Sequence, residues 1–323
     1  MKYRALGQTG FSVSDIGFGA WGIGGRTQGT TSYGDTDDTV SLAALDRALD
    51  KGITFYDTSN VYGDGHSEEL LGQAFGHRRD KVVIASKAGF VHYDLPLDFS
   101  PENLRRSVEG SLGRLKSDYI DLLQLHNPPI DLLHERPEII GELERMQSEG
   151  KIRAYGFSLK SPEEGIAAIE AFNVPALQVN LNMLDVRAET SGLAALSARK
   201  GTGVIARTPL CFGFLSGAVG PDSTFPEGDH RNGWSREQLA RWTDGAETLF
   251  RAVSPFPEQS RVQVALRFCL AFDFVSSVIP GILSPDEVDE NAAASDLGAM
   301  TRENADIVVD LTSGMDLFVR NKG

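Results

Sequence analysis

Eight short apolar runs, longer amphipathic stretches between them, and no break in composition along 323 residues predict a closed (β/α)8 barrel. The runs fall at residues 15–19, 53–56, 82–85, 119–125, 152–157, 176–179, 203–206 and 275–279. Runs apolar on both faces suit parallel strands covered by helices. The first run, Asp15-Ile16-Gly17-Phe18-Gly19, leads into Gly22, Gly24 and Gly25. That stretch nearly spells Gly-x-Gly-x-x-Gly, but no long helix opens directly after it, which argues against a doubly wound dinucleotide-binding sheet. Three helices announce their starts by a capping serine before proline, at Ser100-Pro101, Ser161-Pro162 and Ser284-Pro285. Lys200-Gly201 reads as a helix stop, whereas Glu135 and Arg136 read as the opening of a helix on a solvated face.

Three pieces fall outside the repeat. Residues 3–13 read as a short hairpin capping the barrel floor. Residues 213–242, rich in Gly, Pro and Asp, read as a long mobile loop after the seventh strand. Residues 304–317 read as a tail helix. The whole of 1–323 is expected to form a single barrel domain.

Composition narrows the function classes. Thirty-one basic against 45 acidic residues give a net charge of −14, which argues against a nucleic-acid backbone binder. No apolar stretch approaches the roughly 18 residues of a membrane span, and no apolar leader is visible at the start. Cys211 and Cys269 fit a reducing compartment and small core positions rather than a disulfide framework. No Cys-x-x-Cys or His-Glu-x-x-His occurs, so no metal site is expected. A cytoplasmic protein is expected.

In such a barrel the chemistry sits at the C-terminal ends of the strands. Asp57 and Tyr62 follow the second strand, Lys87 the third, His126 the fourth, Ser158 the fifth, Asn180 and Asn182 the sixth, and Arg207 the seventh. Each alone reads as a cap, an ion pair or a satisfied histidine. Four titratable types ending three successive strands read together as a site. A phenol near pKa 10 transfers protons poorly at neutral pH unless a neighbouring ammonium stabilises its anion. Lys87 can supply that charge, Asp57 can hold Lys87, and His126 can relay a proton. This set suits protonation of a carbonyl oxygen while a hydride reaches the carbon.

The stretch Ile53-Thr54-Phe55-Tyr56-Asp57-Thr58-Ser59-Asn60-Val61-Tyr62-Gly63, with Ser86-Lys87 and Leu125-His126, resembles the aldo-keto reductase family. Gly156-Phe157-Ser158, Gln178-Val179-Asn180, Thr208-Pro209-Leu210 and Ile279-Pro280-Gly281 carry the likeness along essentially the whole chain. The resemblance implies Tyr62 as proton donor, Lys87 and Asp57 as its tuning pair, and His126 as orienter of the substrate carbonyl. It implies an NAD(P)-dependent oxidoreductase interconverting an aldehyde, ketone or sugar with its alcohol. It also implies a nicotinamide cofactor across the barrel mouth, near Gly19 and Trp21, its carboxamide met by Ser158 and Gln178 and its ring by Arg207. Thr208, Pro209, Leu210, Gly213, Leu215, Ser216 and Gly217 would follow the pyrophosphate, and Gly281, Leu283, Glu287, Glu290 and Asn291 the adenosine end.

Two positions depart from the family pattern. Leu159 stands where asparagine commonly follows the serine. The adenosine segment 281–291 carries Asp286, Glu287, Asp289 and Glu290 and no cation to meet a 2′-phosphate. Carboxylates can instead accept from a free ribose hydroxyl, or simply face a helix N-terminus, so NADP and NAD both stay open. Trp21, Phe90 and Trp234 read as an apolar wall for substrate, and His92, His134 and His230 as surface histidines. A non-catalytic or weakly catalytic nicotinamide-binding redox-sensor subunit on the same barrel is the alternative. Substrate identity and oligomeric state stay undetermined.

Overall fold

A computed structural model describes residues 1–27, 31–254 and 256–319. The strands are β1 (Tyr3–Ala5), β2 (Ser12–Ser14), β3 (Phe18–Gly19), β4 (Phe55–Asp57), β5 (Val83–Ala88), β6 (Ile120–His126), β7 (Ile152–Ser158), β8 (Ala176–Asn180), β9 (Gly203–Arg207) and β10 (Val275–Ile279). β3 to β10 pair in chain order as one parallel eight-stranded sheet. The bridges Ile16 to Val278 and Gly19 to Gly281 join the first of these strands to the last and close the barrel. β1 and β2 form the expected antiparallel hairpin.

Side-chain alternation sorts the barrel interior into layers. Phe55, Ala85, Leu122, Ala154, Ala176 and Ile205 form its apolar lower layer, plugged from below by Leu6 and Val13 of the hairpin region. Two residues further along the same inward faces come Asp57, Lys87, Gln124 and Gln178, all nearly fully buried. The outward faces pack against the helices in a second apolar cluster. The polar layer therefore rests on a dry floor.

The serine caps are as the sequence signalled. Ser100, Ser161 and Ser284 each accept from the backbone N–H three residues on, with proline at the first turn. Gly201 ends the helix Leu193–Lys200 in the left-handed conformation, φ 69°. Three expectations need correction. The segment 213–242 is not all loop, because the helix Arg236–Val253 starts inside it. Ser235 accepts from Gln238 N–H there, and Leu239, Trp242, Ala246 and Leu249 are buried along one face. Glu135 closes the helix Ile130–Glu135 rather than opening one, since Pro137 precedes the next helix, Glu138–Ser148. The tail helix runs Arg302–Ser313, started by a Thr301 cap and ended before Gly314. Among the described residues no helix is long and apolar enough to cross a membrane.

The hairpin meets the floor through backbone. A Cβ on Gly203 would lie 2.4 Å from Gly7 N and 2.7 Å from Leu6 C, and neither atom belongs to a side chain that could swing away. Gly203→Ala should therefore cost about 1–3 kcal/mol, the usual penalty of overpacking. The check is a lower urea midpoint at unchanged m; an unchanged midpoint would show that the hairpin yields freely.

Candidate active site

Strand register brings four of the sequence-selected residues together. Asp57 ends β4 beside Ala85 of β5, which places Lys87, two residues on, against it. Lys87 Nζ donates to Asp57 Oδ1 at 2.6 Å, to the Thr58 carbonyl at 2.8 Å and to Tyr62 Oη at 3.1 Å. Tyr62 lies in a 3-10 turn directly after β4. His126 ends β6, its ring edge-on to Tyr62 with centroids 6.3 Å apart. Its Nδ1 lies 3.5 Å from Ser59 Oγ, at the limit of hydrogen bonding.

The second oxygen of Asp57 is also satisfied. Gln124 Nε2 donates to Oδ2 at 2.9 Å and Gln178 Nε2 at 2.7 Å. Gln178 Nε2 also reaches Gln124 Oε1 at 3.2 Å, and Ser158 Oγ donates to Gln178 Oε1 at 3.2 Å. A buried ion pair persists when its remaining lone pairs and protons find partners, and these amides supply them. The Gln178 amide is thus engaged inside the barrel. Gln124 was absent from the sequence reading, although its place between Leu122 and His126 on one inward strand face is a period-2 signal.

Burial dominates the electrostatics. It pushes the Tyr62 phenol well above its ordinary value, with Asp57 adding to the rise and Arg207 opposing it. Lys87, 3.1 Å from the phenol oxygen, is placed to donate to the phenolate whenever the proton leaves. Burial likewise lowers the Lys87 ammonium while Asp57 holds it up. His126 falls well below the usual imidazole range through burial, then through Lys87 and Arg207. At neutral pH the site holds a protonated phenol beside a neutral imidazole.

Around this centre, Arg207 is locked by Asn180 Oδ1 at 2.9 Å and by the Leu159 carbonyl at 2.9 Å. Leu159 therefore contributes its backbone to the site although its side chain is apolar and buried. Thr208 Oγ1 donates to the same Asn180 oxygen at 2.7 Å, and Asn182 Nδ2 donates to the Thr208 carbonyl. From Thr208 the chain turns sharply, with positive φ at Thr208, Cys211, Phe212, Gly213 and Gly217. Leu215 and Pro209–Leu210 lie on the same turn, whose Leu215 N–H and Ser216 N–H close on the Leu210 and Gly213 carbonyls.

The mouth is walled by aromatics. Trp21 packs on Tyr33 at 4.8 Å, on His230 at 4.8 Å and on Tyr62 at 6.4 Å. Trp234 packs on His230 at 5.2 Å, and Phe90 sits edge-on to His126 at 4.8 Å. His230 is therefore a half-buried member of this wall, not a surface histidine. Its backbone N–H donates to the Ser32 carbonyl, so the loops after β3 and β9 clasp across the mouth. Tyr33 escaped the sequence reading, and His230 was read as a surface residue, because their contact joins loops about 200 residues apart.

The adenosine segment is less acidic than its composition suggests. Asp289 pairs with Arg47 at 2.8 Å and Lys51 at 3.1 Å, and Arg47 holds it down to about 2. Glu287 folds back so that the Leu283 N–H donates to its Oε2 at 2.6 Å, while burial raises its carboxyl. Leu283 is 39% exposed, Gly281 opens on free space, and Asn291 is buried. An exposed leucine beside that opening suits a flat aromatic ring. Directly after the strand that ends at His126, the buried Asn127 Oδ1 has no partner among the described residues. A free acceptor there suits an amide donor, so these residues fit a nicotinamide adenine dinucleotide.

A family model described as Aldo/keto reductase family matches residues 15–312. The chain belongs to the aldo/keto reductase family. It is 32% identical to "Aldo-keto reductase YhdN" of Bacillus subtilis, over 95% of this chain and 91% of that one. It is 30% identical to "NADH-specific methylglyoxal reductase" of Escherichia coli, over 91% and 93%. The solved glycerol dehydrogenase AKR11B4 from Gluconobacter oxydans superposes with a TM-score of 0.79 at 28% identity, covering 99% of this chain and 98% of that one. Members of this family are oxidoreductases that act on carbonyl substrates with NAD(P).

The contribution of Lys87 to the imidazole is open to direct measurement. Lys87→Met removes a cation that holds His126 down, so the His126 pKa should rise in that variant. NMR titration of the imidazole follows this, and a pKa that stays put or falls would contradict the electrostatics described.

Proposed function

We propose that this chain is an NAD(P)-dependent carbonyl reductase, or an alcohol or sugar dehydrogenase in the reverse direction, with the whole chain folded as one barrel unit in the cytosol. The observation that carries the reading is the continuous Asp57–Lys87–Tyr62 chain, 2.6 Å and 3.1 Å per link, opening beside His126. The bound nicotinamide would supply the hydride. The chain's own residues do the rest. Tyr62 Oη donates its proton to the carbonyl oxygen as negative charge develops there. Lys87 then donates to the phenolate left behind, and Asp57 keeps the ammonium in place. A neutral His126 can donate a hydrogen bond to the same carbonyl oxygen and fix its direction without competing as an acid. In oxidation the same groups act in reverse, with the phenolate as base. The aromatic wall of Trp21, Tyr33, Phe90 and Trp234 excludes water from the reacting centre. The comparisons lend no support to the sensor-subunit alternative.

Tyr62→Phe should lower carbonyl reduction by roughly 10²–10⁴-fold, the range of general acid catalysis, with little change in cofactor dissociation constant. Single-turnover rates with a panel of small aldehydes and sugars test this, and more than a tenth of the original rate would refute the assignment.

The cofactor end supports a weak preference for NAD(H), or at most a small one for NADP(H). Segment 281–291 contains no cation, and a basic pair beside it, Arg47 and Lys51, is held by Asp289. A charge-assisted contact to phosphate contributes about 1.5–3 kcal/mol, so its loss weakens NADP(H) by roughly 10–100-fold. Leu283→Arg combined with Glu287→Gln should move the ratio of dissociation constants toward NADP(H). If the unaltered protein binds NADP(H) a hundredfold more tightly than NAD(H), a cation from elsewhere meets the phosphate.

A further inference from the structure

One fully buried carboxylate lies behind the site and the proposed mechanism does not use it. Glu68 stands in the first turn of the helix His66–Phe75, which begins three residues after Tyr62's successor Gly63, and its side chain has no exposure. First-turn acids usually face solvent and the helix N-terminus. This one points inward. Glu68 accepts from Ser86 Oγ, on the residue preceding Lys87 in β5, and from Arg114 Nε at 2.8 Å. The residue before it, Ser67, is equally buried. Ser67 Oγ donates to the Ala20 carbonyl at 2.8 Å and shares a 2.8 Å hydrogen bond with Thr58 Oγ1. Thr58 is the residue whose carbonyl accepts from Lys87 Nζ. One helical turn thus fastens the ends of β3, β4 and β5 to each other.

Arg114 completes the arrangement from outside. It comes from the helix Pro101–Leu115 and lies over Gly65, φ 100°, where a Cβ would meet its Cδ at 2.7 Å. Gly65 belongs to the turn that carries Tyr62. Arg114 also lines a cleft of about 310 Å³ on the outer side of that turn, beside Asn60 and Val61, so its charge is partly hydrated. The Glu68 charge is not. Breaking the pair would leave this carboxylate buried and uncompensated.

We propose that Glu68 is a positioning residue for the proton-transfer pair, fixing the Tyr62 turn against the Lys87 strand and biasing both groups toward their protonated forms, with Arg114 as its counter-charge. The inference rests on Tyr62 and Lys87 acting as proposed above. The titratable groups facing this pair are Asp57 from β4, Arg207 from β9, neutral His126 from β6, Tyr93 from the loop after β5, and Glu68 from the helix behind β5, itself paired with Arg114. Of these, Glu68 sits on the side away from the mouth, so substrate and cofactor leave it undisturbed. Its negative charge favours the Lys87 ammonium and disfavours the Tyr62 phenolate, and Glu68 is among the groups that hold the Lys87 pKa up.

The test uses opposite signs. Carbonyl reduction needs the protonated phenol, so kcat/KM falls on the alkaline limb. Glu68→Gln keeps an acceptor for Ser86 but removes the negative charge, and the limb should move to lower pH, by on the order of half a unit. Arg114→Met removes the positive charge, and the limb should move to higher pH by a smaller amount. The double variant should return toward the original profile. A structural role alone would lower stability in both single variants and leave both limbs in place. Unmoved limbs, or limbs moving the same way, overturn the inference. If Glu68→Gln does not fold, the Arg114→Met limb decides: an upward move supports the inference and an unmoved limb overturns it. Tyr62→Phe separates the two levels. A limb that survives in Tyr62→Phe overturns the acid assignment itself, whereas one that vanishes there but stands still in the Glu68 and Arg114 variants overturns this inference alone.

Discussion

The buried pair between Lys87 and Asp57 is the constraint around which the rest of the molecule is arranged. Two charges lie almost wholly out of water, where desolvation is expensive unless every lone pair and proton finds a partner. Here they do. The ammonium reaches a carboxylate, a carbonyl and a phenol, and the far carboxylate oxygen accepts from two amides. Removing one partner would leave a buried unpaired charge, a loss on the order of 3–5 kcal/mol. That dependence explains why Gln124 and Gln178 point inward from different strands, and why the layer beneath them is uniformly apolar. A hydrated floor would weaken the field that keeps the phenol protonated.

The same economy of partners appears at the rim. Asn180 accepts from both Arg207 and Thr208, so one side-chain oxygen ties the end of β9 to the turn that follows it. The backbone strain of that turn, with positive φ at Thr208, Cys211 and Phe212, is supported by this anchoring and by Arg231, which is itself held by Asp229. Asp229 also bridges to Ser32, and through His230 the two loops share an aromatic wall with Trp21. The mouth is therefore shaped by contacts between loops, while the buried Asp57–Lys87 pair is shaped by strands. Loops adapt more readily than strand ends, which suits a family that retains one chemistry across many substrates.

Electrostatics at the adenosine end shows why counting charges along a segment is insufficient. Of the acids in 281–291, Asp289 is paired by Arg47 of the helix Asp38–Asp50 and by Lys51 at its end, and Glu287 is turned back on its own loop. Leu283 is 39% exposed nearby, its side chain lying over Gly22. Two of the four carboxylates in the segment are thus engaged within the protein, so its formal charge overstates the repulsion there.

Much of this protein was set locally and could be read from the chain alone. Runs apolar on both faces alternate with capped amphipathic stretches, and that alternation is decided by near neighbours, so strand order, barrel class and the serine caps were legible. Their places just past the ends of apolar runs also put Asp57, Tyr62, Lys87 and His126 at the C-terminal face of the barrel, and the family motif gave each a role. The Ser235 cap inside 213–242 was legible too, yet Gly and Pro nearby masked it. Other features were decided only by tertiary structure. Gln178 meets Asp57 because of strand register, which sums contacts around the whole closed sheet. Glu68 lies behind Lys87 because the helix after β4 packs on β5, and His230 joins Trp21 because two distant loops cross. Burial, which controls the charge states of Tyr62, Lys87 and His126, is likewise a property of the assembled barrel. No residue carries it alone.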